Sequence, residues 1–275
     1  MYRGVLYYIT GTRHWPVLIC SILSLRKFYD GPIGIMFPDD ADDELFNRLS
    51  GDPILAPVIP VRFRQVKYRR HSGYMNKPRM FKASPFDSTV FFDADTLIVG
   101  SIDDMFVEPE DKVRLTKFAH WTTYGKTIKK RITKWTKAEP ERVQRQLDKE
   151  FAAVNTGVLA FGSGLASEKF GDDWLMTTNG NPSFIADEIA AQLIYPEHEC
   201  VLLDDRFNCS PRYGANRDKA VVWHFHGKKH LKPQAIELWW PVYQEAINKN
   251  IAGIRDWTPA GDGRLKEYLK VKGHL

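Results

Sequence analysis

The sequence predicts an α/β protein with a doubly wound, mostly parallel sheet and a helical C-terminal part, and three observations carry that prediction. Strand-like runs and helical patterns alternate over about the first hundred residues, as they do where crossover helices join parallel strands. The run TVFFDAD, residues 89–95, is apolar and ends in two acids one residue apart. With 275 residues, 43% of them hydrophobic and 13% aromatic, the chain is long enough to bury one full core.

Each element has its own signal. GVLYYIT (4–10) has the β-branched and aromatic content of a buried strand, and Gly11-Thr12 breaks it. Pro16 suits a first helical position, and Leu18, Ile19, Ile22 and Leu23 follow at helical spacing. IGIMF (33–37) is a second strand closed by Pro38-Asp39-Asp40, and DDELFNRL (42–49) is a short helix with an acidic first turn. A proline-rich connection leads to VRFRQVKY, then to a helix from Asn76 or Pro78 to Ala83, then to the strand before the acids. Beyond it come the strand VRLTKF (113–118), a helical pattern over 126–150 and the strand VNTGVLAF (154–161). A helix near ADEIAAQLIY (186–195), the strands VLLDD (201–205) and VVWHFHG (221–227) and an amphipathic helix over 233–250 complete the chain.

Composition excludes several classes. The apolar run 16–25 is half the roughly 20 residues of a membrane span and reads as a core helix, with a signal-peptide core as the alternative. Cys20, Cys200 and Cys209 are odd in number and show no metal-type spacing, which fits a reducing, cytoplasmic setting. Net charge is +5, concentrated in Arg62–Lys82, in KTIKKRITKWTK (126–137) and in Lys228, Lys229 and Lys232. Such clusters are solvated faces or attract phosphates and anionic surfaces. Nucleic acid is not expected, because no zinc-finger, RNA-recognition or helix-turn-helix signature accompanies them. Ile128, Ile132 and Trp135 form a stripe on the basic helix that either packs on the core or lies on an anionic membrane.

In an open sheet of this kind ligands bind beyond the carboxyl ends of the strands, where strand order reverses. Asp93 and Asp95, with Ala94 between them, fall at such an end. Two carboxylates converging in a turn offer hard oxygen ligands to Mn2+ or Mg2+, which take further ligands from substrate phosphates. The pair therefore points to binding of a metal and a diphosphate. The rival is a phosphohydrolase with Asp93 as nucleophile. In phosphatases of the haloacid dehalogenase type, however, a threonine stands four residues after that aspartate, and here Thr96 follows by three.

FFDADTLIVGSIDDMF resembles the signature of the retaining, GT-A-fold glycosyltransferases of the glycogenin and lipopolysaccharide galactosyltransferase type, family 8, and marks a distant member. Further elements follow in that family's order. Lys77 stands where the family carries a lysine that contacts the donor, and VNTGV (154–158) matches its sugar-pocket element. ADEIAAQL resembles its Asp-Gln helix start with Glu188 in place of Gln, RFN (206–208) its Tyr-Asn element, and HFHG (224–227) its His-x-x-Gly.

The resemblance implies a Rossmann-like sheet and a metal held by Asp93, Asp95 and His224, with His226 as the fallback. It implies a donor site of Ile9, Thr10, Gly11, Lys77, Asp93, Ala94, Asp95, Asn155, Thr156, Gly227 and Lys229, in which His14 or Trp15 stacks on the base. Lys228 and Lys232 remain alternatives to Lys229 at the diphosphate. Asp187, Asn155 and Lys77 are the catalytic candidates. One domain is expected over 1–275: a nucleotide-binding half to about 110, a sugar and acceptor half to about 232 and a helical extension. The implied reaction is transfer of a hexose, with retention, from a nucleotide diphosphate sugar, UDP-glucose or UDP-galactose, to a glycan, glycolipid or glycoprotein acceptor. A non-catalytic carbohydrate-binding module on the same fold is the remaining alternative.

Overall fold

Strands and helices alternate through the first third of the chain as the pattern predicts. The computed structural model describes residues 1–11, 14–41, 43–68, 72–118, 121–149, 151–211, 217–225 and 233–257. In order come β1 (Arg3–Tyr8), α1 (Trp15–Leu25), β2 (Ile33–Pro38), α2 (Asp43–Ser50) and β3 (Val58–Phe63). The helix expected near 76–83 is three short pieces: α3 (Ser72–Asn76), a 3-10 turn at Lys77–Arg79 and α4 (Met80–Ala83). Then follow β4 (Ser88–Asp93), β5 (Thr96–Ile98), β6 (Arg114–Lys117), α5 (Trp121–Ile132), α6 (Pro140–Asp148) and β7 (Val154–Gly162). The remainder is α7 (Leu165–Gly180), α8 (Ala186–Ile194), β8 (Val201–Leu203), β9 (Val222–His224) and α9 (Pro233–Asn248).

Seven strands form one sheet in the order β3-β2-β1-β4-β7-β6-β8. β3, β2, β1 and β4 run parallel, whereas β7 is antiparallel to both its neighbours. Alternation along the central strands sends side chains to two cores. Val5, Tyr7, Val90 and Phe92 pack on the side of α1 and α9. Leu6 and Phe91 pack with residues of α7 and α8 such as Phe170, Trp174 and Ile189. Strand order reverses between β1 and β4, so the ends at Tyr8 and Asp93 flank the switch point.

Every residue of α1 is buried, including two serines. Those serines tie down the segment after the acids. Ser21 Oγ is hydrogen-bonded to Tyr7 Oη at 3.0 Å and to Thr96 Oγ1 at 2.8 Å. Ser24 Oγ accepts from the Ile98 N–H at 2.9 Å. β5 is thus fixed to the helix beneath it, and it pairs antiparallel with β9, Thr96 opposite His224, in a separate two-stranded ribbon.

Several expectations are revised. The helical pattern of 126–150 is two helices, α6 restarting with Pro140 in its first turn. Ile128, Ile132 and Trp135 are at most 4% exposed, so that stripe packs inward and does not face a membrane. Trp239 is also buried, stacked on Tyr243 at 4.5 Å. In the basic run from Arg62 to Lys82, four residues meet acids: Arg62 pairs with Asp43, Lys67 with Asp40, Lys77 with Asp93 and Lys82 with Asp172. α7 was not expected at all. Among the described residues no helix is long and apolar enough to cross a membrane.

Candidate active site

Asp93 ends β4, Asp95 follows in the turn, and the β5–β9 ribbon returns His224 to them across the chain. The Phe225 N–H donates to the Asp95 carbonyl at 2.9 Å and locks this register. His224 Nε2 lies 3.3 Å from Asp95 Oδ1 and 3.7 Å from Asp93 Oδ2. One ligand atom from each of the three residues falls within 4.8 Å of the others. The histidine is buried, and the two carboxylates remain partly accessible at 28% and 21%.

Hydrogen bonds behind the ring decide its tautomer. The Gly157 N–H can only donate, and it donates to Asn155 Oδ1 at 2.9 Å. Asn155 Nδ2 therefore faces and donates to Glu188 Oε2, also at 2.9 Å. Asn208 Nδ2 donates to that same Asn155 oxygen at 3.0 Å and to Thr116 Oγ1 at 2.7 Å. This leaves Asn208 Oδ1 facing His224 Nδ1 at 2.9 Å. Nδ1 is therefore the donor to Asn208, and a neutral ring turns its Nε2 lone pair to the two carboxylates. In that form three acceptor atoms share one place, which a proton or a metal ion can occupy. Their oxygen and imidazole donors suit Mn2+. No side chain fits at Gly157: a Cβ there would stand 2.0 Å from His224 Cε1 and 2.7 Å from Asp93 Oδ2.

A second charged group adjoins this one. Lys77, 5% exposed, places Nζ 2.7 and 3.0 Å from the two oxygens of Asp93 and 3.5 Å from Asp187 Oδ2. Burial opposes its charge, but Asp93 and Asp187 more than offset that, so the ammonium is held above the ordinary lysine range. Thr156 Oγ1 donates to Asp187 Oδ2 at 3.1 Å and accepts from Lys77 at 3.4 Å. Asp187 is pushed up by burial, with Lys77 opposing and Asp93 adding.

Its position is set by α7 and by the start of α8. Trp174 Nε1 donates to the Asp187 carbonyl at 2.7 Å. Ile185 enters α8 in the left-handed region at φ 57°, a costly conformation for a β-branched residue. That turn swings the first helical residues toward Lys77. Asp187 Oδ1 is buried and accepts no hydrogen bond, which leaves an acceptor for a ligand.

Glu188 completes the wall. Its Oε1 accepts from Arg131 Nη1 at 2.7 Å, and its carboxylate is 12% exposed. Burial, opposed by Arg131 and aided by Asp187, raises it to about 7. A carboxyl raised in the folded state contributes stability that is present below its unfolded value and lost as pH rises through the folded one. The stability of the wild type relative to Glu188→Gln should therefore fall between about pH 4.5 and 7, by roughly 3 kcal/mol, and level off above. Urea unfolding of both proteins across that range checks this, and parallel pH profiles would refute it.

The sequence-predicted residues separate into groups. Lys77, Asp93, Asp95, Thr156, Asp187 and His224 converge. Asn155 lies behind the histidine as part of the network, and Ala94 is partly buried against the core. Ile9, Thr10 and Gly11 line a cleft of about 240 Å³ beside the switch point, with Trp15, Phe37 and Phe46. Trp15 is itself buried, and His14 is exposed. Gly227, Lys229, His226, Lys228 and Lys232 lie outside the described residues. Sequence reasoning assigned no role to Asn208, Arg131, Thr116 or Tyr8. For Asn208 the only signal was its place in the RFN element.

The fold beneath this site is the GT-A fold, and solved glycosyltransferases share it. GlyE of Streptococcus pneumoniae TIGR4 superposes with a TM-score of 0.58 at 12% identity, over 91% of this chain and 64% of that one. The chain thus spans under two thirds of GlyE's length. The galactosyltransferase LgtC, solved with donor and acceptor sugar analogs, gives 0.58 at 10% identity over 99% of this chain and 100% of that one. Mouse xyloside xylosyltransferase 1 gives 0.53 at 12% identity, over 82% and 97%. At these identities the likeness is one of fold. No protein-family model and no curated protein sequence matches the chain.

Proposed function

We propose that this protein is a metal-dependent glycosyltransferase. It moves a hexose from a UDP-sugar, UDP-glucose or UDP-galactose, to the hydroxyl of a glycan, glycolipid or glycoprotein acceptor with retention of configuration. The observation that carries this reading is His224 Nε2, aimed by the Nδ1 contact with Asn208 at Asp93 and Asp95, at the switch point of a glycosyltransferase fold. Fold alone does not assign chemistry, so the weight rests on the site.

Asp93, Asp95 and His224 would hold Mn2+. When bound, the cation supplies Lewis-acid neutralisation of the charge that develops on a leaving diphosphate. The apolar cleft at Ile9, Thr10 and Trp15 takes the nucleoside, one face of which meets aromatic carbon. Lys77 brings a fixed positive charge to the diphosphate side of the site, preorganised by Asp93 and Asp187. Asp187 orients the sugar through its unpartnered oxygen and opposes positive charge developing at the reacting carbon. Asn155 and Asn208 act through the histidine as positioning residues. The cytoplasmic location that belongs to this reading rests on the odd cysteine count. Any contact with an anionic surface falls to the exposed Lys130, Lys134 and Lys137.

Thermal unfolding with UDP, GDP and ADP, each with Mn2+ and with chelator, tests the assignment. UDP with Mn2+ should raise the midpoint by several degrees, since a ligand at 100 times its Kd adds about 2.7 kcal/mol. Chelator should remove most of the shift. Indifference to every nucleotide in both conditions would sink the reading.

A further inference from the structure

Tyr8 is the last residue of β1 and pairs in register with Asp93 on β4. Its ring packs edge-on against Phe63 at 5.7 Å, on the Leu6 side of the sheet where Lys77 lies over the Phe91 ring. Its hydroxyl is buried at the switch point and has no hydrogen-bond partner. Burial first, then the charge of Asp187, raises its ionisation far above the ordinary phenol range, so the group is an O–H donor at any working pH. Asp187 Oδ1 is in the complementary state, a buried acceptor with no partner, while Oδ2 is occupied by Thr156 and Lys77.

An unmade donor and an unmade acceptor, buried on either side of the Asp93–Lys77 pair, both destabilise the empty protein. Phenylalanine at position 8 would keep the packing against Phe63 without that cost. The oxygen is explained if a ligand group satisfies both atoms together. A hydroxyl does this: it donates to the carboxylate oxygen and accepts from the phenol. An ammonium cannot accept, a carboxylate is repelled by Asp187, and a deoxy position does neither.

Resting on the glycosyltransferase reading, we propose that Tyr8 Oη and Asp187 Oδ1 together read one hydroxyl of the transferred sugar, Tyr8 donating and Asp187 accepting. Donors are therefore neutral sugars with that hydroxyl free, and the corresponding deoxy sugar is refused.

Tyr8→Phe removes one oxygen and tests this. Three readouts are compared with the wild type: the unliganded unfolding midpoint, the shift given by UDP with Mn2+, and the further shift and rate of UDP release given by UDP-glucose and UDP-galactose. The midpoint should stay or rise, and the UDP shift should be unchanged. The increment of the preferred UDP-sugar over UDP should disappear, and kcat/KM for its turnover should fall roughly 10- to 100-fold. Among the 2-, 3-, 4- and 6-deoxy forms of that donor, one should be equally poor with wild type and with Tyr8→Phe, because the two changes delete the same interaction. A variant that keeps the sugar increment and the rate, or one whose unliganded midpoint drops, overturns the proposal and leaves the glycosyltransferase reading standing. A wild type that gains nothing from either UDP-sugar over UDP also overturns it. A wild type with no UDP shift at all removes the reading itself, and the proposal with it.

Discussion

Asp95→Asn is expected to lose transfer activity by at least about 10²-fold while folding as well as the wild type, the size of loss seen when a charge-stabilising group is removed from an active site. The asparagine keeps the shape of the side chain and an oxygen acceptor, but it lacks the charge that, with Asp93, balances a divalent cation. The backbone bond from Phe225 N–H to the Asp95 carbonyl does not depend on the side chain, so the ribbon of β5 and β9 should survive. Three carboxylates of this site, Asp93, Asp95 and Asp187, share one buried lysine. Removing a charge should therefore leave the midpoint without metal unchanged or slightly raised. The Mn2+-dependent part of the UDP shift is the readout: it should vanish, leaving a weaker shift that chelator does not alter. Full activity, or an undiminished Mn2+ response, would remove Asp95 from the metal site.

What could be read from the sequence was local, and what could not be read was pairing at a distance. TVFFDAD announced a buried strand ending in two acids because apolar content and its break are written in consecutive residues. VNTGV was legible only as resembling a sugar-pocket element; that Gly157 leaves room which any Cβ would take from His224 was not. That VNTGVLAFG runs antiparallel between two strands is not encoded in its periodicity. A strand buried on both faces reads the same in either direction.

His224 was placed after a strand, but its pairing with Thr96 spans more than a hundred residues and leaves no mark in either segment. The tautomer was further still from view. It depends on Gly157, Asn155, Asn208 and Glu188 meeting in space, and three separate parts of the chain supply them. α7 was missed because Gly171, two threonines and Gly180 dilute its helical signal, leaving Phe170 and Trp174 as the only fully buried large apolar residues along it. Yet Trp174 holds the start of α8, so an element without a motif orients the residue that has one.

The other large effect is expected at Lys77. Lys77→Met keeps most of the stem and deletes the charge, which Asp93 and Asp187 share and which lies over the Phe91 ring. Removing one partner of a buried ion pair leaves the other uncompensated, at a cost of about 3 to 5 kcal/mol. The pH dependence has a definite sign. Asp187 is already raised by burial, and losing Lys77 raises it further. Such a carboxyl contributes stability that is present below its unfolded value of about 3.9 and lost as pH rises through the folded value. The variant's deficit should therefore be small near pH 4 and grow toward neutrality. Mn2+ should recover part of the deficit at neutral pH, because a cation on Asp93 replaces some of the missing positive charge, so the midpoint shift from metal alone should be larger in the variant than in the wild type. Transfer should remain at least about 10²-fold down even where the fold is restored, since the metal does not replace the charge held beside the diphosphate. A variant as stable as the wild type at pH 7 without metal would show that Lys77 is not what balances these carboxylates. One rescued to full activity by Mn2+ would reduce the lysine to a structural counter-ion.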